Sequence, residues 1–223
     1  PPPFTTSSMQ QDASRRLGFS VKRTMTVAQK LYEAGFITYM RTDSTRVSDD
    51  AIKMAKAYIM KNYGQNYYSG RIYKTNKSAQ DAHEAIRPTH LNDLEKVKKE
   101  LGADEFKLYT LIFKRFLASK MSDCIYDFTK VTLDVESYTF NATGTVVKFD
   151  GFMNIYTESK ETTSKSDEED LTDDDTRLPK LEIGDKLNEK KLNYAQKFTE
   201  PPSRYSEATL VKAMEEKGIG RPS

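Results

Sequence analysis

Apolar and polar positions along this 223-residue chain change period as it proceeds, and the changes divide it. Over residues 1 to about 122 the apolar positions recur at helical spacing. One helix is predicted from Ser8 to Leu17 and a second from about Thr24 to Ala34, with Gly35 where a helix usually stops. Ser48 is a candidate N-cap for a third, which carries Ile52, Ala55 and Ile59 on one face. Tyr63 to Gln80 is polar, carries Gly64 and Gly70, and reads as a surface connection. Phe106, Tyr109, Phe113, Phe116 and Leu117 form the strongest apolar stripe and predict a core helix. From Asp127 the period drops to two. Phe128, Lys130, Thr132 and Asp134 alternate with Thr129, Val131, Leu133 and Val135, and Phe140 to Phe149 repeats the pattern beyond a turn near Tyr138. A β-hairpin or meander is expected there.

Residues 158–176 hold nine acids and two lysines, without apolar periodicity, and read as a solvated, mobile loop. Beyond them, Leu178 to Leu192 has a Gly184-Asp185 turn between short β-like runs, and Asn193 to Arg204 reads as an extended link containing Pro201-Pro202. Ser206 should N-cap a last helix from Glu207 to Lys217, closed by Gly218, with Tyr205 and Leu210 at the staple positions. The fold class is therefore α+β. Its divisions are a helical lobe (1–123), a β segment (124–156), an acidic loop (157–177) and a mixed C-terminal segment (178–223).

Composition narrows the function classes. No apolar run approaches the ~20 residues of a membrane-spanning helix, so no membrane partner is expected. The single cysteine, Cys124, cannot form an internal disulfide or a cysteine-rich zinc site. Its neighbours Ile125 and Tyr126 favour a buried thiol, and a reducing, cytoplasmic compartment fits. The acidic segment carries a net −7, which leaves +9 for the rest of a chain whose total is +2. A basic body is compatible with nucleic acid and equally with ordinary surface lysine. The start at Pro1-Pro2-Pro3-Phe4 and the end at Gly220-Arg221-Pro222-Ser223 read as the limits of a piece excised from a longer protein.

The candidate chemistry centres on Phe36-Ile37-Thr38-Tyr39-Met40-Arg41-Thr42-Asp43-Ser44. Read as one strand, this run sends Thr38 to one face and Tyr39 to the other, so that the hydroxyl emerges from rigid backbone. Tyrosine, with a reference pKa of about 10, is a weak nucleophile at neutral pH, and a fixed cation helps stabilise the charge that develops in its attack. Arg41 supplies that cation, and its planar fork suits a phosphate. Taken alone, the pair fits a packed strand tyrosine with an arginine passing it better than it fits catalysis, since the chain has thirteen tyrosines. His83, one of two histidines, stands in Asp81-Ala82-His83-Glu84-Ala85-Ile86-Arg87-Pro88, where a surface or capping role is the simpler reading. Asp43 or Glu84 is a candidate to hold its ring and keep it cationic. For Arg87, structural support and phosphate contact are equally open. Gly218-Ile219-Gly220-Arg221-Pro222-Ser223 fits a helix stop and turn, while Arg221 and Ser223 also suit a phosphate.

Together these runs, with the opening Pro2-Pro3-Phe4-Thr5-Thr6-Ser7, resemble in content and order the motifs of the type IA DNA topoisomerase family in its bacterial form. Four motifs in one order make coincidence improbable. The resemblance implies that Tyr39 attacks a DNA phosphodiester and becomes joined to the 5′ phosphate, with Arg41 stabilising charge on the phosphorus oxygens. It implies that Arg221 and Ser223 contact the DNA backbone, and that His83 is a DNA-backbone contact or a proton-relay candidate near the tyrosine. By the same resemblance the helical lobe is a discrete domain, the β stretch belongs to an arch that swings it, and the C-terminal part helps line a single-strand groove. The implied partners are single-stranded and negatively supercoiled DNA, and the implied state is a monomer in the bacterial nucleoid. The implied cofactor is magnesium, held in an N-terminal TOPRIM domain outside this sequence. No metal is assigned within the chain, because Asp173-Asp174-Asp175 lacks the preceding strand such a site needs. The fragment alone is not expected to relax DNA. The alternative is a single-stranded nucleic-acid-binding module without chemistry. A tyrosine-dependent nicking enzyme would add a histidine metal cluster, which two histidines cannot build.

Overall fold

Apolar side chains from five helices and two short extended runs share one interior in the computed structural model. It describes residues 1–73, 83–91, 94–157, 178–188, 190–191, 193–194, 196, 198–199 and 201–219. Among the described residues there are six α-helices: α1 (Thr6–Leu17), α2 (Val21–Glu33), α3 (Asp49–Asn62), α4 (Leu94–Glu100), α5 (Ala103–Ala118) and α6 (Glu207–Glu216). Two antiparallel strands, β1 (Ile125–Val135) and β2 (Tyr138–Phe149), complete an α+β fold. The chain divides into two units. The first takes Pro1–Asp123, Asp150–Lys160 and Tyr205–Ser223, and the second Cys124–Phe149 and Glu161–Arg204.

The first unit is built around α5. Its stripe buries Leu108, Tyr109, Ile112, Phe113, Phe116 and Leu117, while Phe106 stays half-buried. This stripe meets Val27, Ala28 and Leu31 of α2 and Met9 and Ala13 of α1 in one cluster, and Tyr58 of α3 meets Phe113 edge-on at 5.6 Å. Caps fix where the helices begin. Thr5 and Ser8 cap α1 reciprocally, so it begins two residues before the predicted Ser8. The Ser20 hydroxyl accepts from the Arg23 amide, which starts α2 three residues earlier than the pattern alone predicts. Gly18, at φ 64°, closes α1 in the left-handed conformation. Ser48 precedes α3 as expected, yet makes no side-chain cap bond there. Helix α4 was not predicted. Its seven residues bury only Val97, too short a run to show a helical period.

Helix α6 begins at the predicted Ser206–Glu207 junction, with a capping box between Ser206 and Thr209. Gly218 turns left-handed beyond it, and the Ile219 amide bonds back to the Met214 carbonyl at 2.8 Å. The helix lies against α1: Ser7 Oγ donates to Glu215 Oε2 at 2.6 Å, and the Val21 amide donates to Glu207 Oε2 at 2.7 Å. Residues 205–219 thus pack with the helical unit, whereas residues 178–204 fall in the second.

In the second unit the hairpin forms where the period of two predicts it. Its register runs from Ile125↔Phe149 to Val135↔Tyr138, and Glu136 turns the chain at φ 52°. The β-like runs expected between 178 and 192 are not strands among the described residues. A turn lies there, in which the Asp185 amide and carboxylate both bond Glu182. Gly184 takes φ 97°, as the predicted turn requires. Cys124 is only half-buried, and Ile125 and Tyr126 beside it are exposed, so the expected buried thiol is corrected. The reason is local: Ile125 and Tyr126 open a hairpin whose side chains are mostly solvent-facing.

Candidate active site

The run from Phe36 to Ser44 bends at Phe36, Thr38 and Met40 and is not a strand of a sheet, which corrects the sequence-based expectation. One bridge forms, Ile37 with Pro88, flanked by bonds from the Thr38 amide to the Arg87 carbonyl (2.9 Å) and from the Thr89 amide to the Phe36 carbonyl (3.0 Å). Pro88 has no N–H to donate, which limits any ladder at that position. Threonine hydroxyls take over from backbone pairing. Thr38 Oγ1 donates to the Ala85 carbonyl at 2.8 Å and accepts from the Arg87 amide at 3.0 Å. Thr6 Oγ1 donates to the Met40 carbonyl at 2.7 Å and accepts from the Thr42 amide at 2.8 Å. Thr42 Oγ1 in turn accepts from the Ser44 amide at 3.0 Å.

The alternation expected of a strand nevertheless holds from residue 39 to residue 44. Met40, Thr42 and Ser44 are buried, while Tyr39, Arg41 and Asp43 face outward. Tyr39 is 39% exposed, enough for a ligand to reach its hydroxyl, and that hydroxyl bonds no described residue. Its ring is held on two sides. Tyr32, in the last turn of α2, meets it edge-on with centroids 5.2 Å apart, and His83 lies 5.8 Å away at a tilt of 57°. Arg41 is exposed and forms no hydrogen bond or ion pair with a described residue.

Three of the five predicted site residues, Tyr39, Arg41 and His83, therefore come together at one surface of the first unit. Arg221 and Ser223 lie outside the described residues. Among the described residues, neither Asp43 nor Glu84 bonds His83. The Glu84 carboxylate is taken by Arg87, whose Nε lies at 2.8 Å and whose terminal nitrogen lies at 2.7 Å. Arg87 also donates to the Pro88 carbonyl at 3.0 Å and to Ser48 Oγ at 3.4 Å. Of its two open roles, this geometry favours structural support. Tyr32 and Thr6 were not singled out in the sequence. Thr6 lay in plain sight inside the Pro2–Ser7 run, but nothing local says that it reaches residues 40 and 42.

No three His, Cys, Asp or Glu side chains converge to hold a metal among the described residues, and Asp173 to Asp175 lie outside them. A shallow open groove between α2 and the start of α5 is lined by Ser20, Arg23, Lys30, Asp104 and Glu105, and includes none of the three site residues. Its charges pair internally, Arg23 with Asp104 at 2.7 Å and Lys30 with Glu105 at 3.0 Å.

A family model described as DNA topoisomerase matches residues 1–223. The chain belongs to the DNA topoisomerase family. It is 45% identical over 223 residues to DNA topoisomerase 1 of Pasteurella multocida (strain Pm70), a match covering 99% of this chain and 24% of that protein. Among solved structures, full-length topoisomerase I from Thermotoga maritima, in a monoclinic crystal form, matches with a TM-score of 0.80 at 38% identity. That match covers 100% of this chain and 36% of the Thermotoga chain. The chain thus spans about a quarter of the Pasteurella relative and about a third of the Thermotoga structure. The exposed Tyr39 and Arg41 and the half-buried His83 lie within the stretch that these matches cover.

Proposed function

We propose that this chain carries the strand-cleaving tyrosine of a type IA DNA topoisomerase, and that Tyr39 is the nucleophile. Supporting the reading above all is the placement of an exposed tyrosine two positions from an exposed arginine, neither bonded through its side chain to a described residue, on backbone pinned from behind. In the reaction the Tyr39 oxygen forms a bond to the phosphorus of a DNA phosphodiester, and the bond from phosphorus to the 3′ oxygen breaks. The leaving 3′ oxygen ends as a hydroxyl, gaining a proton as the tyrosine gives its own up. Arg41 bonds the non-bridging oxygens, where charge develops, a contribution that is usually large in phosphoryl transfer. The ring of His83 lies close enough to Tyr39 to border the same phosphate path, and Arg221 and Ser223 extend the backbone contacts. Religation is the reverse reaction. The covalent intermediate keeps the bond energy, so no ATP is needed.

The complete protein would then relax negatively supercoiled DNA by cutting one strand, passing the other and rejoining, as a monomer in the bacterial cytoplasm. Magnesium would be held by residues other than those described, and no step above depends on its position. The test uses the complete protein that carries this chain, with magnesium and labelled single-stranded DNA. Denaturation after incubation should leave a covalent adduct with the parent protein and none with Tyr39→Phe, while DNA affinity changes less than about threefold, since only a hydroxyl without an internal partner is lost. An adduct retained in Tyr39→Phe would refute the assignment. No adduct from either protein, with binding intact, would favour the alternative of a binding module without chemistry.

A further inference from the structure

The geometry points to Thr6 as the positioning residue for Arg41, and through it for the attack of Tyr39. This inference rests on the proposed function. Thr6 is fully buried at the first turn of α1, thirty-six positions from Thr42, and touches no surface where DNA could lie. Its single hydroxyl bonds both peptide units that flank the Arg41 Cα. The carbonyl of the 40–41 peptide accepts from Oγ1 at 2.7 Å, and the amide of the 41–42 peptide donates to the same atom at 2.8 Å. The Thr6 amide adds a bond to the Thr42 carbonyl at 2.9 Å, and Oγ1 lies within 3.1 Å of that carbonyl as well.

Two peptide planes held by one atom leave the backbone between them almost no freedom. The φ and ψ of Arg41 are therefore set by Thr6, and with them the direction in which the exposed guanidinium leaves the chain. Among the described residues no other group bonds both of these peptide units, and the buried side chains of Met40 and Thr42 anchor only the two ends of the stretch. Tyr39 differs. It is also held through Thr38 and by the rings of Tyr32 and His83, so loss of the Thr6 hydroxyl should disturb the arginine first. A contact that acts chiefly in the transition state is sensitive to such a shift: misplacement of about 1 Å can cost roughly a hundredfold in rate. Binding, spread over several phosphates, is less sensitive.

The test compares Thr6→Val, which keeps the shape and loses the hydroxyl, with Thr6→Ser, which keeps the hydroxyl, in the complete protein with magnesium. At saturating single-stranded DNA, and at a temperature where each variant is folded by its own melting curve, Thr6→Val should form covalent adduct at least about tenfold more slowly. Its affinity should stay within about threefold of the parent, and Thr6→Ser should restore the rate to within about threefold. On an Arg41→Ala background the same Thr6→Val change should cost less than about threefold, because the group that it misplaces is already gone. A parental rate in Thr6→Val, or the same loss with and without Arg41, would overturn the inference. If Thr6→Val does not fold, Thr6→Cys takes its place. It differs from Thr6→Ser only in sulfur for oxygen, a weaker donor and acceptor, and should be measurably slower than Thr6→Ser, so a rate equal to that of Thr6→Ser overturns the inference equally. Tyr39→Phe is measured alongside: an adduct formed by that variant sinks the proposed function itself, whereas its absence with normal cleavage by Thr6→Val sinks this inference alone.

Discussion

Replacing Arg87 by Met separates its two roles, because the change keeps the stem and removes every donor. Arg87 is 13% and Glu84 23% exposed, so the pair is largely withdrawn from water. Deleting one member of a fully buried pair costs about 3–5 kcal/mol, and of an exposed pair about 0–1. The residual exposure places this pair between those limits, and the lost bonds to the Pro88 carbonyl and Ser48 add little beyond it, so we expect a cost of about 2–3 kcal/mol. For a unit of this size each kcal/mol shifts the melting temperature by roughly 2–4 °C, giving a fall of about 4–12 °C. Thermal and urea unfolding measure it, and adding Glu84→Gln should recover part of the loss, since the stranded carboxylate is then neutral. The salt dependence of single-stranded DNA binding supplies the second reading. Each phosphate contact contributes a slope of about −0.7, and Arg87→Met should leave the slope unchanged. An unchanged melting temperature together with a slope shallower by about 0.7 would refute this reasoning and make Arg87 a phosphate contact.

Two further outcomes are expected. Gly151→Ala should cost about 2–4 kcal/mol, because Gly151 sits at φ 49° and an added Cβ would meet the backbone of Ser122 and Asp123 at 2.4–2.6 Å, forcing main chain to move. An unaltered urea midpoint would show that this backbone yields freely. Burial pushes the hydroxyls of Tyr109 and Tyr156 up to about 12, so the folded state keeps protons that the unfolded chain releases near 10. Their contribution to stability is complete below pH 10 and is lost as pH rises through 12, and Tyr109→Phe should flatten the fall between pH 10 and 11. A urea midpoint that rises over that interval would contradict the assignment.

Wherever local rules suffice, the sequence already contains the element. The stripe at Phe106, Tyr109, Phe113 and Phe116 becomes the central helix, and the period of two becomes the hairpin, because each is a property of neighbours along the chain. Ser206 and Gly218 mark the two ends of α6 for the same reason. What escaped depends on distant partners. Nothing in the run from Phe36 to Ser44 tells a strand from a bent, largely unpaired segment. The difference lies in whether the opposite side offers another backbone or, as here, the hydroxyl of Thr6 and the prolyl nitrogen of Pro88. The packing of α6 on α1 has the same character, since Ser7 and Glu215 are 208 positions apart. Arg87 was ambiguous because its partner Glu84 stands three residues away, a spacing common enough to carry no weight until the geometry is seen.

The treatment of arginine across the first unit bears on the candidate site more than any single distance. Arg23 is paired with Asp104, Arg71 with Asp123 and Arg87 with Glu84. Arg16 binds Asp12, and Arg115 reaches the Pro2 carbonyl and the Tyr156 hydroxyl. These side chains serve the fold, and a phosphate approaching them would have to displace a bonded acceptor. Arg41 and Arg46 have no such acceptor among the described residues, and both lie on the exposed side of the segment that follows Tyr39. Their neighbours make the contrast sharper, because Thr42 and Ser44 between them are buried and spend their hydroxyls on the backbone. The segment thus holds its own main chain with neutral hydroxyls and leaves its cations unspent. An anion arriving beside Tyr39 would find the Arg41 guanidinium bonded to no described residue, on a main chain already held by its neighbours. That is the condition under which charge developing on a phosphate can be stabilised without first breaking something else.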